Sequence, residues 1–265
     1  MKNYALIVDV EKCTQCYNCV LSCKDEHFGF DFLPIAAGCQ ELEQHWVDVR
    51  ITERGKGDKV FVTCRPEFCL HCGDPACMRF GDAVYRREDG IVIIDPVKAR
   101  GRKELLDSCP HGAISWNAEK NLPQKCTLCA HLLDAGEKEP RCVEACPTSC
   151  LNFGDLNDPE SRVAGLVSEH EALRRQDGVV RYFGEPGRVI TGSVYLDEKE
   201  VCEGAQVELI HGDECVARTR TNGFGDFKFR NAPEGELTVS IEYQGKAPVH
   251  YVCEDMDSDR EIVLA

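Results

Sequence analysis

The chain has 265 residues, 43% hydrophobic and 29% charged, an ordinary globular composition with room for one or two domains. Its net charge of −15 argues against nucleic acid or an anionic membrane surface as the main partner, since both demand a basic footprint. Its eighteen cysteines leave two classes open, a disulfide scaffold or a metal protein.

The N-terminal run Tyr4–Val10 reads as a strand and lacks the long apolar stretch and cleavage site of a secretory signal. No run approaches the roughly 18 apolar residues of a membrane span, so a cytoplasmic location is expected. Further strands are predicted at Trp46–Thr52, Lys59–Thr63 and Gly90–Asp95, and short helices at Val20–Glu26, Lys98–Ser108 and Thr127–Asp134. Asp158 as N-cap and Pro159 at the first helical position predict a helix to about Arg175, and Gly184–Gly187 breaks the chain. Beyond lie strand patterns at Arg188–Leu196, Ala205–Ile210, Cys215–Thr221, Asp226–Arg230, Glu236–Tyr243, Val249–Cys253 and Glu261–Leu264. That spacing predicts an antiparallel β-sandwich of immunoglobulin-like size. The expected division is a cysteine-rich domain, 1–154, a helical linker, 155–187, and the sandwich, 188–265.

All but three cysteines fall between Cys13 and Cys150, mostly in C-x-x-C groups. Neighbours that close rarely meet disulfide geometry, and the expected compartment is reducing. Metal binding is the reading that remains. The first group, Cys13, Cys16, Cys19 and Cys23, has the spacing of bacterial ferredoxins, in which three cysteines hold one 4Fe-4S cluster and the fourth holds its neighbour. A single zinc suits it poorly, because structural zinc sites bring two distant knuckles together. The last group, Cys126, Cys129, Cys142 and Cys146, repeats the logic with a longer insertion. Crossed pairing predicts Cys13, Cys16, Cys19 with Cys146, and Cys23 with Cys126, Cys129 and Cys142.

The middle groups are incomplete. Cys69, Cys72 and Cys77 supply three ligands, and the fourth position holds Gly81. The partner group ends at Cys109, but its other three positions hold Arg100, Lys103 and Leu106. One site survives, Cys69, Cys72, Cys77 and Cys109, and its sister has lost all four ligands together. The expected fold is α+β, a doubled bacterial ferredoxin-like domain followed by an all-β immunoglobulin-like sandwich.

This doubled pattern resembles the iron–sulfur subunits of molybdenum or tungsten bis-pterin enzymes of the dimethyl-sulfoxide-reductase superfamily. The resemblance covers roughly residues 1–185 and includes Phe153-Gly154-Asp155-Leu156-Asn157-Asp158-Pro159. It implies that the first site faces the molybdopterin subunit and that the missing site is the distal one, beside a membrane module. The stretches 85–95, 103–110 and 125–134 are similar to the member group of pyrogallol–phloroglucinol transhydroxylases and their relatives that hydroxylate or dehydroxylate phenols. These resemble the chain in having three clusters and a terminal immunoglobulin-like domain. The resemblance implies an electron-transfer subunit with three 4Fe-4S clusters and no catalytic centre of its own. Its partner would be a large molybdopterin catalytic subunit acting on phenols, in a heterodimer or higher oligomer, with bis-MGD in that partner only. No nucleic acid and no direct membrane anchor are expected. The other readings are a subunit of a respiratory reductase for arsenate or a sulfur oxyanion, and a stand-alone multi-cluster ferredoxin.

His71 and His111 sit beside Cys72 and Cys109 and read as hydrogen-bond donors near the sulfurs or as surface groups. In the basic run from Lys98 to Lys103, Arg100 or Lys103 is expected to fill the vacated volume against a carboxylate. Cys64 and Cys150 read as small buried neighbours of ligands, and Cys39, Cys202, Cys215 and Cys253 are left over. Cys202–Cys215 is the bridge to test if the protein is exported.

Overall fold

A computed structural model describes residues 2–42, 44–54, 59–196, 200–253 and 258–264. It divides into two units, residues 1–51 with 64–185, and 52–63 with 186–265. In chain order up to residue 185 the elements are β1 (Tyr4–Asp9), α1 (Asn18–His27), β2 (Asp48–Arg54), β3 (Phe61–Glu67), β4 (Val84–Arg86), β5 (Val92–Ile94), β6 (Ser115–Asn117), β7 (Leu122–Gln124), α2 (Ala130–Asp134), α3 (Arg141–Glu144), β8 (Leu151–Asp155), α4 (Arg162–Glu169), α5 (Glu171–Arg174) and β9 (Val180–Phe183).

All six residues of β1 are buried. The strand lies between β8, antiparallel to it, and β9, parallel to it, with Leu6 opposite Phe153 and Ile7 opposite Arg181. Successive side chains of a strand point to opposite faces. Leu6 and Val8 accordingly join the core that holds most of the cysteines, while Ala5 and Ile7 pack against Val163 of α4 and Leu173 of α5. A strand covered on both faces reads as a continuous apolar run, which is what Tyr4–Val8 is.

The helix expected over Lys98–Ser108 is reduced to a 3-10 turn at Lys103–Ser108. Gly101 adopts φ +78 and its N–H donates to the Asn121 carbonyl at 2.7 Å, so the chain turns out of a helical path there. The helix expected from Asp158 begins instead after Ser161 and breaks at His170, whose backbone is extended. Asp158 closes a turn of its own by accepting the Glu160 N–H at 2.9 Å, the alternative such side chains offer to a helix. The stretch 155–187 contributes α4, α5 and β9.

The second unit holds β10 (Arg188–Tyr195), β11 (Gln206–His211), β12 (Glu214–Arg220), β13 (Asp226–Ala232), β14 (Leu237–Glu242), β15 (Val249–Cys253) and β16 (Ser258–Val263). They form a three-stranded sheet, β13-β10-β16, and a four-stranded sheet, β12-β11-β14-β15. One core joins the two, with Ile190, Phe227 and Ile262 from the first and Val207, Val239 and Ile241 from the second. The last strand departs from the antiparallel expectation: β16 runs parallel to β10. The chain crosses from one sheet to the other between β15 and β16, and such a crossing lacks the tight hairpin that makes neighbours antiparallel. None of the three cysteines here is in a disulfide; Cys202 and Cys253 are buried in the core and Cys215 is exposed, so the Cys202–Cys215 bridge is not formed.

Candidate metal centres

The first ligand loop enters α1. Cys13 follows the 3-10 turn Val10–Lys12, Cys16 lies between Gln15 and Tyr17, both at φ +59, and Cys19 sits in the first turn of α1. Left-handed residues alternating with ordinary ones turn successive N–H groups toward one point and make an anion-binding concavity. Cys19 lies within electrostatic reach of Cys13, Cys16 and Cys146, and burial together with those neighbours pushes its thiol up to about 11.

Cys23 lies one turn further along α1 and meets a different set. Cys142, on α3, feels Cys129, Cys126 and Cys23, and all four are buried. Here too the ligand loop is left-handed, at Leu128 (φ +50) and Cys129 (φ +48). Burial drives the Cys126 thiol up to about 12 and the Cys129 thiol up to about 11. The Leu128 N–H donates to the Cys126 sulfur at 3.4 Å, and the His27 Nε2 lies 3.9 Å from the Cys129 sulfur.

Cys69, Cys72, Cys77 and Cys109 line a third place, a small cavity, together with His71, Val92, Ile114 and Lys125. Cys69 and Cys77 are buried, Cys72 and Cys109 half-buried. The Ala113 N–H donates to the Cys109 sulfur at 3.4 Å. The three places form a row. Cys19 of the first acts on Cys23 and Cys142 of the second, and Cys69 of the third acts on Cys126 of the second. The fully buried foursome is the middle one.

A 4Fe-4S dicluster domain model matches residues 60–156, and a carboxypeptidase regulatory-like domain model matches residues 189–263. The pyrogallol hydroxytransferase small subunit of Pelobacter acidigallici is 39% identical over 264 residues, 93% of each chain. A tetrathionate reductase subunit of Salmonella typhimurium is 33% identical, over 71% of this chain and 75% of that one. The arsenate respiratory reductase iron–sulfur subunit of a Shewanella species is 26% identical, over 64% and 88%. The chain belongs to the iron–sulfur subunits of the dimethyl-sulfoxide-reductase superfamily. Subunits of this family carry electrons for molybdopterin enzymes.

The residues of the three places suit a cubane cluster on several structural grounds. Backbone N–H groups point at ligand sulfurs, left-handed residues line a loop at each of the three places, and the middle thiols are buried where an added cation makes the thiolate favourable. Polar atoms are left over beside the sulfurs: His71 Nε2 and Thr127 Oγ1 are buried without a hydrogen-bond partner. Among the described residues no three His, Cys, Asp or Glu converge on a single-ion site. Four thiolates on four irons of a cubane stand farther apart than four on one ion.

The vacated segment corrects one expectation. Arg100 and Lys103 are both exposed, and Lys103 lies over the Trp116 ring at 5.3 Å. Apolar side chains pack the segment instead: Leu105, fully buried, with Leu106, Met78, Phe80, Val84 and Ala99. Arg102 ties it to the neighbouring turn by donating to the Phe80 carbonyl at 2.8 Å. Gly81, at φ +75, sits in that turn.

Cys150 is buried within electrostatic reach of Cys13 and Cys146, and Cys64 is buried 3.8 Å from Gln15 Oε1. His111 is exposed, while His71 is 1% exposed. Sequence reasoning missed Lys125 and His27, which are 3% and 1% exposed. Four residues separate His27 from Cys23 on one helix, and that spacing places both on one face, a signal the sequence carried. Nothing in the sequence marks Lys125 as a buried lysine.

Proposed function

We propose that this chain is the electron-transfer subunit of a molybdopterin enzyme acting on phenols, and that twelve cysteines hold three 4Fe-4S clusters in a row. The ligand sets are Cys13, Cys16, Cys19 and Cys146; Cys23, Cys126, Cys129 and Cys142; and Cys69, Cys72, Cys77 and Cys109. The observation that carries this reading is the gathering of all twelve into three foursomes, with the middle one wholly buried. A doubled ferredoxin arrangement is supported by α1, which supplies Cys19 to one place and Cys23 to the next. When bound, such a cluster takes up or releases one electron with little change of structure. The chain's own residues space the clusters, keep water from the middle one, and aim N–H groups at their sulfurs.

Two observations favour the phenol-acting branch over a respiratory reductase. The relative whose name specifies pyrogallol aligns over 93% of this chain, so the alignment reaches into the terminal sandwich. The position of a fourth cluster is packed with Phe80, Leu105 and Leu106, which leaves no onward relay at that end. The chemistry on the phenol is assigned to the large partner in a heterodimer or a higher oligomer of it, and this chain has the role of a non-catalytic subunit. The division proposed is a cluster-bearing part, 1–154, a segment 155–187 that adds β9 beside β1, and the sandwich, 188–265.

Anaerobic purification from the native host tests this. A large molybdenum- or tungsten-containing partner, about twelve irons per copy of this chain, and turnover of a polyphenol are the expected results. A partner without the metal, or about sixteen irons, overturns the reading.

A further inference from the structure

His71 lies between Cys69 and Cys72 in sequence, with a left-handed backbone (φ +46) and a ring only 1% exposed. The Val92 N–H donates to its Nδ1 at 3.0 Å. A ring nitrogen that accepts from an amide carries no proton, so the imidazole is neutral and its proton sits on Nε2. That Nε2 is buried and has no hydrogen-bond partner in the protein. Leaving a buried donor unpaired is costly, so a partner for it is expected in the loaded protein. The ring lines the cavity of Cys69, Cys72, Cys77 and Cys109, whose other walls include Pro75, Ala76 and Ile114. Besides His71, the polar side chains in those walls are the four sulfurs, Lys125 and His111.

Lys125 lines the same cavity. Its Nζ donates to the carbonyls of Val92 and, at 3.1 Å, Cys126. One residue of β5 therefore fixes both polar side chains, His71 through its amide and Lys125 through its carbonyl. The ammonium is thereby fixed in the wall of the cavity that the four cysteines line.

We propose that His71 Nε2–H donates a hydrogen bond to a sulfur of the cluster held by Cys69, Cys72, Cys77 and Cys109, and that His71 and Lys125 together raise the reduction potential of that cluster. The proposal rests on the reading that these four cysteines hold a cluster. Reduction adds negative charge to an anion. A donor and a cation at fixed positions stabilise the reduced form more than the oxidised one. The apolar packing beyond this place then makes it an electron store at the end of the row. His71 is a positioning residue here: it touches a carrier, not a substrate.

The test is an anaerobic redox titration followed by electron paramagnetic resonance, on cluster-loaded protein from the native host. The signal altered by Cys72→Ala identifies the third cluster. In His71→Leu, iron content is expected to hold and that signal alone to titrate lower. The expected size is about a tenfold fall in its reduced-to-oxidised ratio, or about 59 mV for a one-electron couple. Unchanged iron with three unchanged potentials overturns the proposal. Should His71→Leu shed the cluster, unmodified protein labelled with ¹⁵N-histidine decides. A histidine nitrogen coupling on the third signal supports the hydrogen bond, and its absence there overturns it. Failure of the underlying reading looks different: unmodified protein with about eight irons and two signals.

Discussion

Arg87 and Asp134, 47 residues apart, form a two-pronged ion pair, with guanidinium-to-carboxylate distances of 2.6 and 2.9 Å. Arg87 stands in the turn between β4 and β5, and Asp134 ends α2, the helix that follows Cys129. The pair thus joins the hairpin beside the third foursome to the helix beside the second. Asp134 is about half exposed, so solvent screens the interaction.

Arg87→Met is expected to destabilise the first unit by about 1 kcal/mol, read as faster bleaching of cluster absorbance in urea. The Arg87 guanidinium holds the Asp134 carboxyl below its usual range. A carboxyl whose folded pKa is depressed contributes stability above its unfolded value, near 3.9, and loses it as pH falls through the folded value. The gap between wild type and Arg87→Met is therefore expected at pH 6 and to close in acid below about pH 3.9. A gap that persists there assigns the effect to packing of the arginine stem.

Iron extraction is expected to unfold one unit and spare the other. Cys19, Cys23, Cys69, Cys126 and Cys142 are part of the first unit's apolar core, so stripping the metal leaves buried thiols in place of a bonded centre. The sandwich has a core of its own, with Val207, Leu209, Val239 and Ile241. Hydrogen exchange after anaerobic chelation is expected to lose protection in β1 and α1 and to keep it in β11 and β14.

Gln124 closes a buried amide network. Its Oε1 accepts from Asn117 Nδ2 at 2.9 Å and Gln44 Nε2 at 3.0 Å, and its Nε2 donates to the Ala37 carbonyl. Gln124→Leu removes all three bonds, leaving Asn117 Nδ2 with its bond to the Gly38 carbonyl and Gln44 Nε2 with its bond to Ser115 Oγ, for an expected loss of about 2 kcal/mol. Because Cys126 follows two residues later, the loss is expected to show first as faster iron release from the middle cluster, followed by its own resonance signal.

Ile241→Ala probes the sandwich alone. Ile241 is fully buried between the two sheets, and deleting most of its side chain is expected to destabilise that unit by about 3 kcal/mol. Calorimetry is expected to show a lower transition for the sandwich, with iron content and all cluster potentials unchanged.

Much of the candidate site was legible because ligand loops are local. Cys13, Cys16 and Cys19 lie in one short loop, so their spacing carries the proposed geometry. The crossed partners, Cys146 for the first place and Cys23 for the second, were inferred from that same repeat, and the structure brings each beside its set. Other features depend on where distant backbone lies. The helix over Lys98–Ser108 fails at Gly101 because the Asn121 carbonyl draws its N–H away. β9 pairs with β1 although some 170 residues separate them, and a four-residue strand carries too little pattern to announce that.

The sequence by itself determined that this is an iron–sulfur chain with a terminal β module, because thiol number and spacing are chemistry written in a line. It also placed Gly81, Arg100, Lys103 and Leu106 where a fourth ligand set would stand. Only the tertiary structure decided what took its place. Charge in the sequence pointed to Arg100 and Lys103, but burying an unpaired charge is costly, and Leu105, Leu106 and Phe80 pack there instead. The fold likewise decided that Lys125 is the buried cation and that His71 presents Nε2–H to the sulfurs. Both follow from the position of one residue, Val92, which no spacing rule connects to either.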